Sequence, residues 1–293
     1  MPTEPTASVA SAAGTVAIGR DLVVNRMGYG GMRLTGPGIW GNPRNLDEAR
    51  RVLRRALELG VNFIDTADSY GPDVNEDLIA STLAPYPDGL VIATKGGLVR
   101  PAPDQWDRDA RPEHLRAACE ASLKRLRVER IDLYQLHAPD PNVPYEDSVG
   151  ELARLQREGK IRHIGLSNVR VKELERAQRL VTVVSVQNRF NVLEHSCDDV
   201  LDYCTREGIA FLPWAPLGSG RYAGNTATSA ALRKLGDVAR RHGVTIGQAA
   251  LAWLLARSPA MLVIPGTASV AHLEENVAAA SVRLSTEDMR ALV

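Results

Sequence analysis

From about residue 28 to residue 279 the hydrophobic pattern of this chain keeps changing period. Short apolar runs of strand length alternate with longer segments in which apolar residues recur every three or four positions. Asp47 to Leu59 is of the second kind: Ala49, Val52, Leu53, Ala56 and Leu59 lie at helical spacing and Gly60 is a natural stop. Val61, Phe63 and Ile64 then form an apolar run of the first kind. The alternation continues as helix near 75–83, strand near 90–94, helix 112–126, strand 131–136, helix 146–158, strand 161–166, helix 170–179 and strand 182–187. It ends as helix 196–207, strand 209–213, helices near 229–242 and 245–256, strand 261–264 and helix 269–279. With a first strand in RMGYGGMRL this makes eight consecutive strand-helix units, without a composition break or a linker. Such a run argues for an α/β fold of one closed parallel sheet, a (β/α)8 TIM barrel, and against a doubly wound sheet in two halves.

Gly14 to Val24 alternates apolar and polar residues around Gly19-Arg20-Asp21, which predicts an N-terminal β-hairpin placed to close the bottom of the barrel. Residues 1–13, small and polar at the start, are expected to be a disordered tail, and 14–293 a single barrel domain. The final LSTEDMRAL reads as a short helix in which Ser285 and Asp288 have capping-box spacing.

Several expected strands run out into polar residues. NFIDTADSYG ends its apolar run at Asp65 and reaches Tyr70 one loop later; VIATK ends at Lys95, DLYQLH at His137, and IRHIGLSN at Ser167 and Asn168. Polar groups at the carboxyl ends of parallel strands are how such a barrel builds an active site. A phenol titrates near about 10, so Tyr70 is expected to have its pKa lowered by a neighbouring cation if it is to serve as an acid at neutral pH. Lys95 is the obvious one, with Asp65 to keep it charged and aimed, and His137 is placed to hydrogen-bond a substrate oxygen. A buried Asp–Lys pair is a poor stability device, so function explains it better. Spacing alone does not say what is transferred along with the proton.

Asp65, Tyr70, Lys95 and His137, in that order, resemble the catalytic tetrad of the aldo-keto reductase family. The resemblance extends from about Val24 to Asn276 and is carried by NFIDTADSYG, LYQLHAPD, IRHIGLSN, VQNRFN, WAPLGSG and IPGTASVAHLEEN. It implies a nicotinamide cofactor, NADPH with NADH as the alternative, lying across the barrel mouth and giving hydride to a carbonyl that Tyr70 protonates. Asp65, Ser167, Asn168 and Gln187 then meet the nicotinamide end. Trp214 would stack on its ring, where the family often has tyrosine. Leu217 and Ser219 would meet the pyrophosphate, largely through backbone, and Ala215, Pro216, Gly218, Gly30, Gly31 and Met32 would be further cofactor contacts. Gly266, Thr267, Ala268, His272, Glu275 and Asn276 would hold the adenosine end. Gly266 and His272 stand where many members have a lysine and an arginine on the 2′-phosphate, so the preference for NADPH is weakened and rests on His272.

Substrate walls are expected from Met32 and Trp40 in MRLTGPGIWGNP and from Trp106 in GLVRPAPDQWDRD; these loops, and RYAGN after WAPLGSG, are short by family standards. An open pocket for a compact or aromatic aldehyde follows, and GGMRLTGPGIWG also resembles bacterial members that reduce pyridoxal. Two rival readings stay open: a cofactor-keeping accessory subunit of the channel beta-subunit type, and an unrelated barrel hydrolase or aldolase using Lys95 as a Schiff-base amine.

Charge narrows the partners. Lys and Arg number 35, Asp and Glu 35, so the formal net charge of zero gives no footprint for nucleic acid or an anionic membrane. No stretch approaches the roughly 18 apolar residues of a spanning helix. Gly28, Gly30 and Gly31 do not make a dinucleotide fingerprint. The six histidines and three cysteines show no metal-ligand spacing. Cys197 and Cys204, about 10 Å apart if helical, are too far for a disulfide. A cytoplasmic monomer or weak homo-oligomer with reduced, buried thiols and a small carbonyl substrate is expected.

Overall fold

A computed structural model describes residues 8–220 and 230–292. Its centre is a curled parallel sheet of seven strands in the order β11-β10-β9-β8-β5-β4-β3. These are β3 (Tyr29–Gly30), β4 (Phe63–Asp65), β5 (Val91–Gly96), β8 (Ile131–Leu136), β9 (Ile161–Ser167), β10 (Val183–Arg189) and β11 (Ala210–Trp214). Two antiparallel pairs flank it: β1 (Thr15–Ile18) with β2 (Leu22–Asn25), and β6 (Leu98–Val99) with β7 (Asp107–Arg108). Helices α1 (Leu46–Glu58), α2 (Val74–Leu83), α3 (Pro112–Leu126), α4 (Tyr145–Arg157), α5 (Val171–Gln178) and α6 (Asp198–Glu207) connect successive strands of the main sheet. After β11 come α7 (Ala230–His242), α8 (Ile246–Arg257), α9 (Val270–Ala278) and α10 (Thr286–Ala291).

The expected eighth strand, 261–264, is present as bridges and not as a ladder. Met261 pairs in parallel with Phe211 and Val263 with Met27. Leu262 N–H donates to the Phe211 carbonyl, and Gly28 N–H to that of Val263. Pro265 directly after it limits the segment's length.

The two-residue side-chain period explains the layering. On β5, Val91, Ala93 and Lys95 face the concave side, whereas Ile92 and Thr94 face the helices. The concave side is filled by one apolar cluster drawn from Phe63, Val91, Ala93, Leu133, Val184, Ala210, Leu212, Leu262 and Ile264. Ile18, Leu22 and Val24 of the hairpin belong to the same cluster, so the hairpin packs against one end of the sheet's interior. The helix layer is amphipathic: on α1, Ala49, Val52, Leu53 and Ala56 are buried, and Asn45 caps the helix through Glu48 N–H.

Three expectations need correction. Residues 10–13, assigned to the tail, form a 3-10 turn in which Ala10 is fully buried and its N–H donates to the Leu59 carbonyl. The first strand is only two residues long because Gly31 turns the chain into a 3-10 turn. Cys197 is only partly buried, while Cys119 and Cys204 are buried, and all three are free. Residues 1–7 and the RYAGN segment fall outside the described residues. No helix among the described residues is long and apolar enough to cross a membrane.

Candidate active site

The concave faces of the strands carry apolar residues through the middle of the sheet and polar ones at its carboxyl edge. Asp65 closes β4, Lys95 lies one residue inside the end of β5, His137 follows β8, and Ser167, Gln187 and Trp214 stand at or near the ends of β9, β10 and β11. All six are brought to one rim by the same register.

Lys95 has no exposure and Asp65 is 2% exposed. The Lys95 ammonium donates to Asp65 Oδ2 at 2.7 Å, to the Thr66 carbonyl at 2.8 Å and to the Tyr70 hydroxyl at 3.3 Å, and so uses all three of its protons. Asp65 Oδ1 accepts from Gln187 Nε2 at 2.8 Å and from Gln135 Nε2 at 3.1 Å. The carboxylate is therefore fixed from both sides. Burial acts to lower the Lys95 pKa, but Asp65 and then Tyr70 outweigh it and the net direction is upward. A lysine held charged in this way is unsuited to Schiff-base chemistry, which needs a free amine.

Tyr70 sits after a turn in which its N–H bonds the Ala67 carbonyl, and Gly71 follows at φ 103°, a conformation glycine adopts without strain. Burial pushes the Tyr70 phenol up, Lys95 opposes this, and the net shift is upward. The expected lowering of its pKa is thus corrected: desolvation exceeds the ammonium's attraction, and the phenol keeps its proton at neutral pH. Burial, then Lys95, lowers the His137 pKa well below the ordinary value, so its ring is neutral. Ser69 Oγ lies 3.3 Å from His137 Nδ1 and ties down that side of the ring. The site thus holds one buried cation-carboxylate pair, one protonated phenol and one neutral imidazole, an arrangement able to deliver a proton to an oxygen at the Tyr70 hydroxyl.

Tyr70 and His137 open onto a cavity of about 730 Å³. Gly30, Met32, Asp65, Ser167, Asn168 and Gln187 line it, as do Trp214, Ala215, Pro216, Leu217, Ser219, Gly266, Thr267, Ala268 and Trp106. The backbone is shaped for this. A side chain on Gly30 would lie 2.6 Å from the Ile264 carbonyl oxygen, and one on Gly266 2.6 Å from that of Gly30. Asn168 is held at φ 59°, donates to the His137 carbonyl at 2.9 Å and accepts the Trp214 indole N–H at 3.0 Å.

Other expected residues lie elsewhere. Gly31 packs against Asn75, and Gly218, His272, Glu275 and Asn276 are outside the cavity lining. Glu275 accepts from Thr245 Oγ1 at 2.6 Å. Trp40, expected as a substrate wall, is not among the lining residues; its backbone forms a bridge with Gly71. Sequence reasoning missed Ile39 and Leu98, which line the cavity, and Gln135. The signal for Gln135 was available, because it is a polar residue two positions before His137 on the same face of a strand.

Comparison with known proteins gives consistent matches. The model of the Aldo/keto reductase family matches residues 26–293. An uncharacterized oxidoreductase of Schizosaccharomyces pombe is 51% identical over 95% of this chain and 88% of its own length. Pyridoxine 4-dehydrogenase of Escherichia coli is 42% identical over 92% of this chain and 94% of its own. An aldo-keto reductase of Klebsiella pneumoniae, solved in complex with NADPH, superposes with a TM-score of 0.79 at 26% identity, covering 95% of this chain and 93% of that one.

Proposed function

This chain belongs to the aldo/keto reductase family, and on that premise we propose that it is an NADPH-dependent reductase of aldehydes or ketones in which Tyr70 is the general acid. The observation that carries the reading is the Tyr70 hydroxyl, 3.3 Å from the Lys95 ammonium and on the wall of the cavity. Under the same proposal 14–293 is one domain and the bridges at Met261 and Val263 complete an eight-stranded barrel with the hairpin across its bottom.

The residues present fit a nicotinamide. Gln187 gives Nε2–H to Asp65, which leaves Oε1 to accept from a carboxamide NH2, while the Ser167 hydroxyl, accepting from Asn168 at 3.1 Å, keeps its own proton to donate to the carboxamide oxygen. Trp214 offers an aromatic face beside them. When bound, the cofactor supplies the hydride.

The protein's part is then proton delivery and orientation. Neutral His137, anchored through Nδ1, presents Nε2 to the substrate oxygen and positions it toward the Tyr70 hydroxyl. As negative charge develops on that oxygen the phenol proton moves to it, and the nearby Lys95 ammonium stabilises the resulting phenolate. Asp65 keeps the ammonium charged. A pocket with Met32, Ile39, Leu98 and Trp106 on its walls suits a small aromatic aldehyde, and the likeness to pyridoxine 4-dehydrogenase supports pyridoxal as the first substrate to try. The rival accessory-subunit reading has no particular observation in its favour.

The test is to titrate the protein with NADPH and with NADH, following Trp214 fluorescence, and then to assay pyridoxal reduction by wild type and Tyr70→Phe. Saturable NADPH binding by both, with turnover in wild type alone, is the expected result. Turnover by the Phe variant at the wild-type rate would overturn Tyr70 as the acid.

A further inference from the structure

Arg100 does not line the cavity, and nothing in the hydride-and-proton chemistry above uses it, yet it is only 8% exposed. Its donors all go to backbone carbonyls of three separate segments. Nε–H reaches the Gln105 carbonyl at 2.7 Å; one terminal nitrogen reaches Ile39 at 2.9 Å and Ser69 at 3.3 Å; the other reaches Gly38 at 2.7 Å. The guanidinium carbon lies 3.8 Å from the centroid of the Trp106 ring and 6.0 Å from that of Trp40. Trp106 in turn meets both Tyr70 and His137 edge to face, at 6.3 Å in each case.

Arg100 and Trp106 stand at the two ends of the turn joining β6 to β7, and the tip of that turn is pinned to the first loop by Asp104 N–H on the Gly38 carbonyl at 3.1 Å. One side chain thus links the loop carrying Ile39, the hairpin carrying Leu98 and Trp106, and the backbone of Ser69, whose hydroxyl contacts His137. We propose that Arg100 is the positioning residue of the substrate wall, holding the Trp106 ring beside Tyr70 and His137 so that the pocket selects carbonyl substrates bearing a flat aromatic ring. This rests on the carbonyl-reductase reading. A flat planar fork is what the geometry needs, because it stacks on an indole while serving four carbonyls; an ammonium matches neither requirement.

The test compares wild type, Arg100→Lys, Trp106→Leu and the double variant. The readouts are KM and kcat for benzaldehyde and for propanal, the dissociation constant for NADPH by fluorescence, and thermal unfolding. Arg100→Lys is expected to raise KM for benzaldehyde about tenfold, as for loss of one charge-assisted hydrogen bond or so. KM for propanal, kcat and the NADPH constant should move about twofold or less. The double variant should match Trp106→Leu, since both substitutions act through one ring. Trp106→Leu keeps the carbonyl bonds of Arg100 and so reads the wall even if Arg100→Lys folds poorly; equal KM changes for the two aldehydes in that variant would overturn the proposal. So would an unchanged benzaldehyde KM in a folded Arg100→Lys, or a parallel loss for both aldehydes and NADPH. A wild type that binds no NADPH and reduces neither aldehyde overturns the reductase reading itself, and this inference with it.

Discussion

The Lys95 ammonium stands 2.7 Å from Asp65 Oδ2, with the two side chains 0% and 3% exposed. A pair this deep is held by the surrounding hydrogen bonds as much as by its own attraction, because both ions have lost their water.

Removing both partners should therefore cost less than the sum of removing each alone. Asp65→Asn leaves a buried ammonium without its counter-ion and is expected to destabilise the fold by about 3–5 kcal/mol. Asp65→Asn combined with Lys95→Met should be less destabilised than the sum of the single variants, by roughly 1–3 kcal/mol of coupling. Urea unfolding of the four proteins measures this, and simple additivity would contradict it.

The pH dependence should differ between reaction directions. With Tyr70 as the acid, as proposed above, reduction would need the protonated phenol, and burial raises the Tyr70 pKa above 10.0. The phenol therefore remains loaded at neutral pH, and single-turnover reduction should stay flat until the pH passes the ordinary phenol range. Alcohol oxidation needs the phenolate and should increase with pH over the alkaline range. His137 is neutral in both cases, so no change near its ordinary pKa is expected. A fall in reduction rate centred near neutral pH would contradict this assignment.

Asp68 offers a test by stability alone. It is 8% exposed, and its Oδ1 has no hydrogen-bond partner among the described residues. Burial, with Glu76 adding to it, raises its pKa well above 3.8. A carboxyl with a raised folded pKa is best tolerated below the unfolded value and loses stability as pH rises through the folded one. Asp68→Asn should thus gain stability relative to wild type at neutral pH, by about 1–3 kcal/mol, with the difference vanishing near pH 3. Chemical denaturation at several pH values reads it, and a variant less stable at pH 7 than at pH 3 relative to wild type would contradict it.

Trp214 should report on cofactor binding and not on the acid. Its indole N–H bonds Asn168, and the Arg189 guanidinium lies 5.4 Å from its ring. Trp214→Ala is expected to weaken NADPH binding about tenfold, while Trp214→Phe, which keeps a stacking face, loses less. Calorimetric titration distinguishes the two, and an unchanged constant in the alanine variant would remove Trp214 from the nicotinamide site.

The order of elements and the rim of polar residues were both legible in the chain. Period-2 runs ending in Asp65, Lys95 and Ser167 commit those side chains to one face before any tertiary contact forms, because alternation along a strand is local geometry. The 3.6-residue period of α1 is local in the same sense. What the chain could not state is which interaction wins once groups are packed together. The Tyr70 pKa moves up because desolvation depends on neighbours from several strands. Ile39 reaches the cavity wall on a loop that Arg100 ties down from some 60 residues further along the chain, while Trp40 is not among the lining residues. Gln135 and Gln187 meet on one carboxylate across strands that never adjoin it in sequence. Local patterning thus determined the order of elements and the polar residues at the rim; burial and long-range packing, which exist only once the chain is folded, decided their charge states and the walls around them.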